Sequence, residues 1–226
     1  HVEQNLAWLR DTHGSRVRPE IVDLRNPRSL ARAVDGARAV FHLAAQTAVT
    51  TSLTDPAHDF DVNARGTFNL LQSVREAAAE APVIFASTNK VYGDLADLEL
   101  DTFTDRVLPC DPAIRARGIG EDRALHLCTP YGCSKGVADQ YVLDAAASFG
   151  LYGPHQFGTE DQGWVAHLLL QALRNEQLTI FGDGRQVRDI LHVSDAVAAY
   201  RALLDRIDDA SGRAFNLGGG PRNAVS

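Results

Sequence analysis

Short apolar runs without polar alternation constrain this chain more than any other feature. AVFHLAA (39–45) and PVIFAS (82–87) are apolar on successive residues, as a strand is when both of its faces are covered. LTIFGD (178–183) and AFNLGG (214–219) read as further short strands. Between them the 3.6-residue period predicts helices over roughly 56–80, 130–148, 161–175 and 194–208. Strands alternating with helices through short connections predict an α/β fold with a doubly wound parallel sheet. The polar stretch 94–129 shows no clear period and is read as a long functional loop. With 226 residues and 45% hydrophobic content the chain can bury a real core.

In such sheets ligands bind beyond the carboxyl ends of the strands, which directs attention to HLAAQTAVTTS, STNKVYG, the start of the 130–148 helix and YGPHQFGTEDQGW. Of the 22 basic residues only two are lysine, Lys90 and Lys135, and Lys135 follows Tyr131 by four positions in TPYGCSKG. On a helix that spacing puts both on one face. A tyrosine titrates near 10, and a neighbouring ammonium favours the phenolate, which turns a phenol into a proton acceptor. The plain alternative is a chance surface pair. Ser87 and Thr88 follow the strand PVIFA directly, where a hydroxyl can hold a substrate alcohol and the carbonyl it becomes; alone they would read as a turn or cap. Hydroxyl, phenol and ammonium together favour chemistry on an alcohol.

Other classes fit less well. A net charge of −7 argues against nucleic acid as a partner. No run of eighteen apolar residues and no signal-peptide pattern is present, so the expectation is a cytoplasmic protein with no membrane partner. Cys110, Cys128 and Cys133 have no zinc or disulfide spacing and read as reduced thiols, so no metal is expected. His42 and His192 read as packed or hydrogen-bonded, and Trp164 as packing. There is no GxSxG elbow of a hydrolase.

The motifs DLRN (23–26), FHLAAQ (41–46), NARGTFNLL (63–71), STNKVYG (87–93), YGCSK (131–135), YGPHQ (152–156), RDILHVSD (188–195) and FNLGGG (215–220) together resemble the extended short-chain dehydrogenases/reductases, the NAD-dependent nucleotide-sugar epimerases and dehydratases. The resemblance implies a Rossmann-like sheet, NAD as cofactor, a nucleotide-sugar substrate and a homo-oligomer. It implies Thr88, Tyr131 and Lys135 as catalytic residues, with Lys135 also on the ribose. It places Asp23 and Leu24 beside the adenine, Leu43, Ala44, Ala45 and Asn63 along the cofactor, and Tyr152 at the nicotinamide end. Substrate would be held by Thr88, Asn89, Lys90, Gln162 and Arg188, the last by a bidentate fork on phosphate. Asp23 as a loop cap, Asn63 as a surface residue, Lys90 as a surface lysine and Arg188–Asp189 as a local ion pair are the bland alternatives.

Relatives that dehydrate sugars carry acidic residues directly after the threonine. Here those positions are Asn89 and Lys90, which removes the acid that elimination needs. TNKVYGDL, TPYGCSKG with VADQYVLD, and QFGTEDQGWV most closely resemble the branch that epimerises CDP-paratose and CDP-tyvelose at C2. That implies transient oxidation to a keto sugar and return of hydride to the opposite face. A UDP-sugar 4-epimerase, or a non-catalytic dinucleotide sensor on the same fold, are the alternatives. The implied division is an NAD-binding Rossmann-like domain over 1–150 and a partial substrate-binding region over 151–226, interleaved with late Rossmann elements. The glycine-rich GxxGxxG turn of the first βα unit, a core strand before Leu151 and most of a C-terminal substrate region do not occur in the sequence.

Overall fold

The computed structural model describes residues 2–78, 80–142, 145–146, 150–152, 163–180 and 183–225. The chain opens with α1 (Val2–His13) and reaches α2 (Pro27–Val34). Asn26 caps α2 by accepting from the Ser29 amide at 3.2 Å, and Pro27 supplies a fixed φ in its first turn. β1 (Val40–His42) follows, then α3 (Val49–Thr54) and α4 (Pro56–Phe60), which the Asp55 carboxylate caps. A π-helical turn over Asp61–Arg65 leads into α5 (Gly66–Ala77) and β2 (Val83–Ala86). These elements reproduce the expected helix over 56–80, interrupted by the wide turn.

β1 and β2 pair in parallel, Val40 opposite Val83 and His42 opposite Phe85. The face carrying Val40 and Val83 packs on a cluster of Leu30 and Val34 from α2 with Leu70 and Val74 from α5. On the other face Phe41 meets the Tyr200 ring edge-on at 6.3 Å. Helices therefore lie on both faces, which is why VIFA is apolar on successive residues. Phe85, 1% exposed, packs on Ala138 of the later helix that carries Tyr131.

After a 3₁₀ turn at Asn89–Tyr92 the stretch 94–129 is more ordered than its sequence implies. It holds an antiparallel hairpin of β3 (Leu100–Thr102) and β4 (Val107–Pro109), then α6 (Pro112–Arg117), capped by Asp111. α7 (Pro130–Val142) stops short of the expected 148 and gives way to β5 (Ala145–Ala146), which pairs in parallel with β2, so a strand does precede Leu151 where the sequence reading found none. β6 (Gly150–Tyr152), α8 (Trp164–Leu173), β7 (Arg188–His192), α9 (Val193–Asp205), α10 (Ile207–Ala210) and β8 (Ala224–Val225) complete the order. β6 pairs in parallel with β7, and β8 antiparallel to it.

Two expected strands are corrected. Residues 178–180 form no strand; Leu178 and Ile180 stay exposed without a pairing partner among the described residues, and β-propensity without a neighbour to pair does not make a strand. In 214–219 only Phe215 makes an isolated bridge, because the glycines fold back against β7, where the Gly220 amide donates to Asp189 at 3.3 Å. Among the described residues Arg188 and Asp189 form no ion pair, which was the bland alternative for Arg188. Among the described residues no helix is long and apolar enough to cross a membrane.

Candidate active site

The chemistry-bearing side chains converge where β2 ends and α7 begins. Ser87 and Thr88 leave β2 fully enclosed, 4% and 3% exposed. Thr88 caps the following 3₁₀ turn, its hydroxyl accepting from the Lys90 amide at 3.2 Å. Tyr131, 6% exposed, lies beside Thr88, whose side chain favours the ionised phenol. The helix is held from behind: Ser52 of α3 accepts from the Tyr131 amide at 3.2 Å and donates to Val49 O at 2.7 Å. Gly132 permits the approach, because a Cβ there would stand 3.0 Å from the Lys90 carbonyl oxygen.

Lys135 is buried on the same helix, and its ammonium donates to the Ala86 carbonyl at 2.7 Å while lying 3.9 Å from the Phe85 ring centroid. Burial lowers its pKa to about 8, and the Asp139 and Asp59 carboxylates pull the other way. The phenol of Tyr131 is pushed above its usual value, by burial first and by the Asp59 and Asp139 charges, against the effect of the Thr88 side chain. The neighbouring ammonium does not offset burial at the phenol here, and one of its three N–H groups is held by the strand end.

Asp139, one turn beyond Lys135, was not singled out by sequence, although the i,i+4 spacing from the lysine was the available signal. It accepts from Ser87 at 2.5 Å, and its other carboxylate oxygen is buried without a hydrogen-bond partner among the described residues. Burial raises its pKa to about 6, moderated by Ser87 and Lys135. Asp59 is likewise enclosed and raised by burial, with Ser134 donating to it at 2.5 Å. His42, 3% exposed, bonds Thr67 at 2.8 Å, and burial lowers its pKa to about 4, so it is a packed neutral imidazole as expected.

Asn63 sits inside the π-helical turn, the kind of local widening that turns a side chain inward at functional sites. It is 2% exposed, not a surface residue. Its carbonyl accepts from the Gln46 amide at 2.9 Å, and its amide donates to Gln46 O at 3.0 Å and Ser134 at 3.1 Å. The loop past β1 is thus fixed while Leu43 and Ala44 remain exposed at its tip and Ala45 is half-buried. Asp23 is exposed beside Leu24. It accepts from the Arg25 amide at 2.8 Å and pairs with the Arg25 guanidinium at 2.6 Å, which holds its pKa near 2.

Asn89 and Lys90 are exposed past Thr88. Partial desolvation lowers the Lys90 pKa, and the Arg188 guanidinium adds to the effect, so the fold sets these two cations near one another. Tyr152 lies in β6, opposite His192 in register. Gln162 falls outside the described residues.

The NAD dependent epimerase/dehydratase family model matches residues 3–218. The chain is 40% identical over 245 aligned residues to CDP-paratose 2-epimerase of Salmonella typhi, covering 98% of this chain and 69% of that protein. Among solved structures, UDP-glucose 4-epimerase of Thermotoga maritima with UDP-glucose superposes with a TM-score of 0.69 at 28% identity, over 87% of this chain and 61% of that one. A double mutant of dTDP-glucose 4,6-dehydratase from Streptomyces venezuelae, solved with NAD, gives 0.74 at 26% identity, over 96% and 62%.

Proposed function

The chain belongs to the NAD-dependent epimerase/dehydratase family, and we propose that it inverts C2 of a CDP-linked deoxyhexose, interconverting CDP-paratose and CDP-tyvelose. The 40% identity to a CDP-paratose 2-epimerase supports the substrate. The observation that carries the chemistry is the burial of Thr88 and Tyr131 side by side at the carboxyl end of β2, with the Lys135 ammonium one turn away. In this reading the parallel pairings of β1, β2 and β5 and of β6 and β7 are parts of one doubly wound sheet, with residues 1–150 binding the cofactor and 151–226 contributing to substrate binding.

The residues present fit NAD. Leu43, 56% exposed, offers an apolar wall past β1, and the ionised Asp23 carboxylate offers an acceptor for ribose hydroxyls. Asn63 steadies the loop between them, and Ala44, Ala45, Leu24 and Tyr152 complete the cradle. When bound, NAD supplies a reversible hydride acceptor. Thr88 orients the sugar hydroxyl by a hydrogen bond, and Tyr131 takes its proton as C2 is oxidised and returns it after the sugar has turned its other face. Lys135 stabilises the phenolate through the surrounding field. Lys90 and Arg188 hold the substrate diphosphate, Arg188 by its planar fork, with Asn89 and Gln162 on the sugar. Asn89 and Lys90 offer no carboxylic acid where dehydration would need one, which favours epimerisation.

Turnover of Tyr131→Phe tests the reading, because the ring is kept and only the hydroxyl is lost. Epimerisation of CDP-paratose, followed by NMR, should fall by about 10²–10⁴-fold with the melting temperature little changed. Turnover near that of the parent would reject Tyr131 as the acid/base.

A further inference from the structure

Outside this site, the structure gathers three metal-ligating side chains that sequence spacing hides. Asp94 follows the 3₁₀ turn, while His126 and Cys128 lie in the segment entering α7, more than thirty positions later. His126 Nδ1 stands 3.2 Å from Cys128 Sγ and 3.8 Å from Asp94 Oδ1, and the three ligand atoms lie within 4.8 Å of one another. Zinc bonds of about 2.0–2.3 Å at tetrahedral angles put ligand atoms roughly 3.3–3.7 Å apart. The two distances from His126 straddle that range, so seating an ion asks mainly for the Asp94 and Cys128 side chains to turn towards one another.

The backbone is shaped for the approach. Gly93 adopts φ 75, and a Cβ there would stand 2.5 Å from the His126 carbonyl oxygen and 2.8 Å from its Nδ1. The His126 amide donates to Val91 O at 2.8 Å, and Arg123 pairs with Asp97, so the two segments are already held side by side. All three ligands are exposed, leaving solvent free to take a fourth position.

We infer that Asp94, His126 and Cys128 form a three-ligand site for a borderline-soft divalent cation of the zinc class. A nitrogen, a thiolate and one carboxylate select such an ion over magnesium or calcium, which prefer all-oxygen shells. On binding, the Cys128 thiol gives its proton to solvent and His126 coordinates as neutral imidazole. The ion bridges the segment that leaves Thr88 to the segment that presents Tyr131. It therefore acts as a clasp on their separation and takes no part in the chemistry. The expectation of no metal rested on local spacing, which cannot report a ligand brought in from a distant turn.

The test is metal titration of the reduced, chelator-treated protein. Co²⁺ should bind one per chain and develop a near-ultraviolet thiolate-to-metal absorption. Competition with a chromophoric chelator should show Zn²⁺ binding weakened about 100-fold or more in Cys128→Ser and His126→Asn. Cys110→Ser and Cys133→Ser should bind like the parent, and affinity should drop from pH 8 to pH 6 as protons compete for the ligands. Circular dichroism melts show that each variant is folded. The absence of stoichiometric binding by the folded parent would overturn the inference, as would binding unchanged in Cys128→Ser.

Discussion

Asp139 shares the inner side of α7 with Lys135 and accepts a hydrogen bond from Ser87. Its folded pKa of about 6 lies above the value near 3.9 of an unfolded aspartate. Between those values the folded state binds more protons than the unfolded one, so this carboxyl makes stability decline as pH rises from about 4 to 6. Asp139→Asn should flatten that part of the profile, measured as urea midpoints against pH; an unchanged slope would remove Asp139 as its source. Thr88, Tyr131 and Lys135 were legible in sequence because residue type, spacing and a strand end coincide there. The burial that raises Tyr131 and Asp139 was not, since desolvation depends on what other segments bring over the site. Asp59 and Ser134 illustrate this: they are 75 residues apart, yet share a hydrogen bond and leave no joint mark on the sequence.

α7 and the 3₁₀ turn of Asn89–Tyr92 meet through Gly132, whose missing side chain fixes how far Tyr131 stands from Thr88. In Gly132→Ala the added methyl would press on the Lys90 carbonyl oxygen at 3.0 Å and displace the turn. Catalysis tolerates such displacement poorly, so turnover should fall about tenfold or more while the melting point moves little. Turnover equal to the parent would show that this contact does not set the site. At this scale the sequence was readable where chemistry is local. Asn26-Pro27, Asp55-Pro56 and Asp111-Pro112 each open a helix with an oxygen cap and a proline, although only the second fell inside a predicted helix. The hairpin of β3 and β4 was missed because its strands are three residues each, too short for alternation to register, and β3 is exposed throughout. LTIFGD misled for the opposite reason: its propensity is high but no partner strand receives its described residues.

Across the molecule a net charge of −7 contrasts with the cationic corner formed by Lys90 and Arg188. A lysine whose protonation burial and a nearby guanidinium both disfavour gains from an anion placed beside it, as the diphosphate of a nucleotide sugar would be. The helices on both faces of β1 and β2 leave Thr88, Tyr131 and Lys90 beyond the carboxyl end of β2, where an α/β sheet holds its ligands. The order of elements was legible from the apolar runs. The nearness of Lys90 to Arg188 was not, because proximity across about a hundred residues is decided by the fold and leaves no local trace. The account's central claim is that C2 of the sugar is inverted by oxidation of its hydroxyl, with the proton on Tyr131. The direct measurement is incubation of the protein and NAD with CDP-paratose deuterated at C2, read by NMR and mass spectrometry. The account predicts CDP-tyvelose that keeps its deuterium, because the C–D bond breaks as hydride and is restored to the same carbon in a closed site. Epimer carrying protium from solvent at C2, or no epimer at all, would contradict it.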